Sequence, residues 1–167
     1  MTGAPCSGKT TLLSSLEKLG YKVVPEVART YIDNFIKNGG TVENLRSDEL
    51  KFQEEVLTQK YKIEESLNQS EVIFFDRGIP DSYAYFKLLG VKDKSLLNKS
   101  LLSNYKKIFI LAPCPFTEDY ARTENKEEQA KLHILIQEAY EKTKAIIVNV
   151  PLFSTKEERV DFVLNNL

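Results

Sequence analysis

Gly3-Ala4-Pro5-Cys6-Ser7-Gly8-Lys9-Thr10 is the stretch on which the fold turns. It matches G-x-x-x-x-G-K-[ST] at every specified position, the pattern of a loop that wraps phosphate. The spacing has a chemical reason. Glycines let the backbone curl tightly enough for successive N–H groups to converge on one phosphate cluster. Lys9 brings a point charge to the β- and γ-phosphates, and the Thr10 hydroxyl suits Mg²⁺. Beyond it, Leu12, Leu13, Leu16 and Leu19 recur at helical spacing before Gly20, a helix stop. The expected nucleotide-binding set is therefore Gly3, Ala4, Pro5, Cys6, Ser7, Gly8, Lys9, Thr10 and Thr11, seated on a helix N-terminus whose dipole favours anions.

Such a loop normally follows a buried strand of about five or six residues. Only Met1 and Thr2 precede Gly3, so the expectation is an incomplete start and a sheet one strand short.

The remainder alternates as an α/β protein does. Residues 21–25 read as a short strand closed by Pro25, and 26–37 as a helix ending at Asn38-Gly39-Gly40. A long helix is predicted over 47–67, with Leu50, Val56, Leu57, Ile63 and Leu67 inward. Val72-Ile73-Phe74-Phe75 is an apolar strand ending at Asp76-Arg77-Gly78, and Pro80 starts the next helix. Helices are predicted over 94–104, 127–144 and 155–164, and strands over 107–111 and 146–150. Apolar runs without alternation mean strands buried on both faces, hence a parallel sheet. With no linker or repeat, residues 1–167 form one domain.

Composition narrows the function without naming it. With 23 basic and 24 acidic side chains the net charge is −1, which argues against an obligatory nucleic-acid partner. Two cysteines are too few for a disulfide scaffold, and no Cys/His cluster points to zinc. The longest apolar run is five residues, so no membrane span is expected. No charged-then-apolar leader opens the sequence, and the expected location is cytoplasmic.

In an open parallel sheet the ligand lies beyond the carboxyl ends of the strands. That rule selects Glu26, Asp76 and Arg77. Asp76 is placed as a metal-holding carboxylate or a proton acceptor, with a helix-capping role as the structural alternative. Arg77 suits a phosphate or carboxylate, or a buried pairing with a sheet carboxylate. Glu26 and Arg29 are one turn apart and share a side. Glu26 reads equally as a base, a substrate-hydroxyl ligand or a structural carboxylate. A polar segment near 117–127 carries Arg122, the best candidate for a lid arginine closing over a triphosphate. His133, the only histidine, reads as a packing or surface residue. Tyr31, Phe35, Tyr83 and Tyr85 read as core first and as a base-stacking wall second.

Gly3 to Thr11, Val24-Pro25-Glu26-Val27-Ala28-Arg29, Phe75-Asp76-Arg77-Gly78-Ile79-Pro80-Asp81 and Glu157-Glu158-Arg159-Val160-Asp161-Phe162-Val163-Leu164 occur in this order. Together they resemble the AAA-domain group of small ATPases or kinases, itself similar to nucleoside, nucleotide and ribosylnicotinamide kinases. The resemblance implies a P-loop nucleoside triphosphate hydrolase fold, a three-layer α/β/α sandwich with a parallel sheet of order 2-3-1-4-5. It also implies ATP and Mg²⁺ as cofactors, a lid arginine at Arg122, and a carboxylate at Glu26 like that of deoxynucleoside kinases.

The expected activity is an ATP-dependent phosphotransferase for a small acceptor, a nucleoside or nucleotide. Lys9, Asp76, Arg122 and Glu26 would be its catalytic residues, Glu26, Arg29 and Arg77 its substrate contacts, and Thr10 and Asp76 its metal ligands. A regulatory ATPase or GTPase switch acting on a protein partner is the alternative. Asn98-Lys99-Ser100-Leu101 lacks the final Asp of the guanine-selecting N-K-x-D, which favours ATP. The sequence does not set the oligomeric state.

Overall fold

The sheet is easiest to read from its most apolar strand. In the computed structural model, which describes residues 1–4, 7–68, 70–113 and 126–167, that strand is Lys107–Leu111. Four strands in chain order are β1 (Lys22–Val24), β2 (Ile73–Phe75), β3 (Lys107–Leu111) and β4 (Ile146–Val150). β1 pairs with β2 in parallel from Lys22↔Ile73 to Val24↔Phe75, and β3 pairs with β4 in parallel from Lys107↔Ile146 to Leu111↔Val150. The chain start bridges the two pairs. Thr2 N donates to Phe109 O at 2.8 Å and Leu111 N to Thr2 O at 2.8 Å, while Arg77 N donates to Met1 O at 2.9 Å. The spatial order is thus β1, β2, Met1–Thr2, β3, β4. Counting the start as the first strand, this is the expected 2-3-1-4-5, with Met1 and Thr2 holding the central position where the sequence reading expected the strand to be missing.

Helices cover both faces. They are α1 (Lys9–Lys18), α2 (Val27–Lys37), α3 (Val42–Arg46), α4 (Glu49–Glu65), α5 (Ile79–Leu88), α6 (Lys94–Lys99), α7 (Lys126–Glu141) and α8 (Lys156–Leu164). Alternate residues of β3 show why a parallel sheet needs cover on two sides. Phe109 and Leu111 pack with Leu12, Leu13 and Leu16 of α1 and Val160 and Val163 of α8. Ile108 and Ile110 pack with Ala84 of α5 and Leu132, Leu135, Ile136 and Tyr140 of α7. Burial of each such aliphatic side chain contributes about 1.5–3 kcal/mol. A third cluster joins Val27 and Ile32 of α2 to Phe52 and Val56 of α4.

The structure moves several boundaries, and capping explains most of them. The helix predicted over 47–67 starts at Glu49, because Asp48 Oδ1 accepts from Lys51 N at 3.0 Å. Thr41 Oγ1 accepts from Asn44 N at 3.2 Å and starts the separate α3, which the sequence reading did not find. Leu50, expected inward, is 41% exposed in the first turn of α4. The helix predicted over 94–104 ends at Lys99, and that over 127–144 runs Lys126–Glu141.

Candidate active site

The phosphate loop begins where the backbone has no room for a side chain. Gly3 has φ +137°, and a Cβ there would lie 2.6 Å from Leu111 O. Gly8, at φ +78°, caps α1 in the left-handed region and turns the chain into the helix. Lys9 follows at the first helical position and is buried. Its Nζ donates to Gly3 O at 3.1 Å, Ala4 O at 3.0 Å and Ser7 Oγ at 3.1 Å. Burial lowers its pKa to about 8, reinforced by Arg77 and opposed by Asp76, Glu26 and Asp81. Thr10 and Thr11 are exposed at the helix start. Pro5 and Cys6 lie outside the described residues, as do Arg122 and most of the segment near 117–127; only its last residues open α7.

Arg77 ties three parts of the sheet together. Its backbone has φ 66°, a left-handed conformation that costs a non-glycine residue about 1–2 kcal/mol. The surroundings hold it there. Nε donates to Glu26 Oε1 at 3.1 Å, and Nη1 donates to Gly3 O at 3.2 Å and Asp81 Oδ1 at 3.1 Å. The Tyr85 ring centroid is 5.8 Å from its Cζ. The carboxylate after β1, the phosphate loop and the first turn of α5 therefore meet on one guanidinium. Pairing with the Glu26 and Asp81 carboxylates accounts for two of these contacts, and the Gly3 carbonyl and the Tyr85 ring supply the others.

Asp76, directly before it, is fixed through its backbone N, which donates to Val24 O at 2.9 Å. Its side chain is buried, and Oδ1 has no hydrogen-bond partner among the described residues. Burial raises its pKa and the Glu26 charge adds to that, while Lys9 and Arg77 act in the opposite sense. Arg29 sits half-buried on α2, one turn beyond Glu26.

Beneath this turn lies a network that the sequence reading missed. Asp81 is fully buried and accepts four hydrogen bonds. Oδ1 accepts from Thr2 Oγ1 at 2.6 Å and from Arg77, and Oδ2 accepts from Gly78 N at 3.0 Å and Tyr140 OH at 2.5 Å. Although burial pushes its pKa up, Arg77, Lys60 and these donors bring it below the usual carboxylate value. Lys60 of α4 is buried and donates to Gly78 O at 2.7 Å and Ser82 Oγ at 3.1 Å. Burial lowers its pKa to about 8. Tyr105 OH accepts from Ile79 N at 2.9 Å and donates to Glu64. Signals for two of these existed. Asp81 stands three residues after the helix cap Gly78, where a carboxylate reaches back to the cap N–H. Lys60 falls on the apolar stripe of α4 with Val56, Leu57 and Ile63.

His133 lies half-buried on α7, where burial and then the Lys9 charge lower its pKa. Of the aromatic residues, Tyr31 stacks on Phe52 at 5.8 Å and 10°, and Tyr83 is buried, as core residues are.

The donor set fits a magnesium–nucleotide complex. Mg²⁺ takes one or two protein oxygens and completes its shell with phosphate and water. An uncommitted buried oxygen on Asp76 and an exposed hydroxyl on Thr10 supply that many. No group of three or more His, Cys, Asp or Glu that could hold a metal ion by itself occurs among the described residues. None of their helices is long and apolar enough to cross a membrane.

Comparison with known proteins gives the family and the fold. The family described as AAA domain matches residues 1–159. Among solved structures the chain is similar to deoxyadenosine kinase from M. mycoides. With bound dCTP the identity is 18% and the TM-score 0.65, over 99% of this chain and 95% of that one. The same enzyme with dCMP and a flexible dCDP gives 18% and 0.70, over 98% and 94%, and with dATP 19% and 0.68, over 99% and 96%. No curated protein sequence matches.

Proposed function

The chain belongs to the AAA domain family, and from that premise we propose an ATP- and Mg²⁺-dependent phosphotransferase acting on a small metabolite, a nucleoside or nucleotide. The observation that carries this reading is the division of labour around Arg77. Glu26 is oriented by the guanidinium, while Asp76 Oδ1 has no hydrogen-bond partner among the described residues and lies in the field of Lys9. Phosphoryl transfer asks little covalent work of a protein; positioning and charge neutralisation supply most of the rate.

The loop amides and Lys9 bind and orient the triphosphate. Thr10 and Asp76 would hold Mg²⁺, which when bound neutralises charge on the phosphate oxygens. Glu26, with a side chain 22% exposed at the end of β1, accepts the proton of the attacking hydroxyl, and Arg77 fixes its direction. Arg29, one turn along α2, contacts the acceptor, and Arg122 joins Lys9 in neutralising the transferring group. The fold shared with deoxyadenosine kinase supports a nucleoside or nucleotide as acceptor.

A panel of nucleosides, nucleoside monophosphates and related metabolites, incubated with γ-labelled ATP and separated chromatographically, tests the proposal. Label on one acceptor class is the expected result. Nucleotide binding with slow hydrolysis and no labelled acceptor would instead favour the regulatory switch.

A further inference from the structure

The C-terminal helix brings a further cation to the phosphate loop, beyond Lys9 and Arg77. Two features of α8 decide where Arg159 goes. Thr155 and Glu158 close a capping box: Glu158 N donates to Thr155 Oγ1 at 3.2 Å, and Thr155 N donates to Glu158 Oε2 at 3.1 Å. This fixes the start of α8 and commits Glu158 to its own helix cap. Val160 and Val163 are buried in one cluster with Leu12, Leu13 and Leu16, which sets the rotation of α8 against α1. Arg159, one residue before Val160, is thereby carried to the start of α1. Its Nη1 lies 2.7 Å, and its Cζ 3.9 Å, from the point where a Cβ on Gly8 would stand. Nε and Nη2 are shielded from solvent.

We propose that Arg159 is a phosphate-binding residue of the nucleotide site, acting from α8 beside Gly8. The inference rests on the reading that this loop binds a nucleoside triphosphate. A guanidinium is permanently charged and gives charge-assisted hydrogen bonds to phosphate oxygens, and the N–H groups at the start of α1 are the natural second half of such a site. Lys9 and Arg159 differ in kind here. Lys9 is buried among the loop carbonyls, whereas Arg159 reaches the loop from a separate element and tightens it only if α8 is docked.

Calorimetric titration of the wild-type chain, Arg159→Lys and Arg159→Met with ATP, ADP and adenosine, each with a melting curve, tests this. The expected result is a loss of ATP and ADP affinity of about ten- to hundred-fold in Arg159→Met. Arg159→Lys should recover part of it, and adenosine binding should change far less than ATP binding. Equal ATP affinity in the wild type and Arg159→Met would overturn the inference, as would equal losses for ATP and adenosine. Should Arg159→Met fail to fold, Arg159→Lys carries the test, and wild-type ATP affinity in that variant would refute the guanidinium contact. Absence of ATP binding by the wild-type chain would instead overturn the functional reading, and the inference with it.

Discussion

Replacing Asp81 with alanine removes the acceptor of four hydrogen bonds at one stroke. Thr2 Oγ1, Arg77 Nη1, Gly78 N and Tyr140 OH all donate to its carboxylate, and all four donors are buried. A hydrogen bond to a charged group is worth about 1.5–3 kcal/mol net, but the four are not additive, because burial of the carboxylate opposes them. Removing one partner of a buried ion pair costs about 3–5 kcal/mol, so we expect a loss of about 4 kcal/mol for Asp81→Ala. Asparagine should lose about half as much, since its amide nitrogen faces two donors on whichever side it is placed. At about 2–4 °C per kcal/mol, Asp81→Ala should melt about 8–16 °C below the wild type. Urea unfolding followed by circular dichroism gives the free energies directly. Its pH dependence adds a second check. The folded pKa is lowered, so the stabilisation is complete above the unfolded value of 3.8 and is lost as pH falls through the folded value. The gap between wild type and Asp81→Ala should therefore be full at neutral pH and close in acid. A shift of less than about 1 kcal/mol at pH 7, or a gap that widens in acid, would refute the assignment of Asp81 as the clamp of this turn.

Three further outcomes follow from the same contacts. Glu26→Gln should lower turnover about 10²- to 10⁴-fold while leaving ATP affinity within a few-fold, measured by steady-state kinetics against calorimetry. ATP affinity of the wild type should fall as pH rises through about 8, where Lys9 loses its proton, and a titration flat to higher pH would contradict that. Gly78→Ala should destabilise by about 1–3 kcal/mol in thermal unfolding. Its Cβ would lie 2.6 Å from Tyr105 OH at a backbone φ of −100° that alanine tolerates, so the loss is one of space alone.

What the sequence makes legible depends on how local the cause is. The phosphate loop, β3 and β4 read directly, because a contiguous motif or apolar run carries the signal. The start of α4 and the separate α3 are set by Asp48 and Thr41, cap residues visible in the sequence but outweighed there by one long periodic pattern. The tertiary half of the site is another matter. Asp81 meets Tyr140 across 59 positions and Thr2 across 79, and Lys60 meets Gly78 across 18. No spacing rule reports such pairs. The sequence also offers Arg77 two roles, and only the folded chain shows Nε donating to Glu26 and Nη1 to Gly3 and Asp81. Arg159 belongs to the same class, since its place at Gly8 depends on how α8 docks against α1.

In the activity proposed for it, the site around Lys9 and Asp76 moves the terminal phosphoryl group of ATP onto a small acceptor. Lys9→Ala, which removes the loop's own cation and its three hydrogen bonds, gives the direct contrast once a melting curve shows it folded. With γ-labelled ATP and a mixture of nucleosides and nucleoside monophosphates, the wild type should yield labelled acceptor and folded Lys9→Ala none. Labelled acceptor at undiminished rate from Lys9→Ala, or label released by the wild type only as inorganic phosphate, would overturn the proposed phosphotransfer.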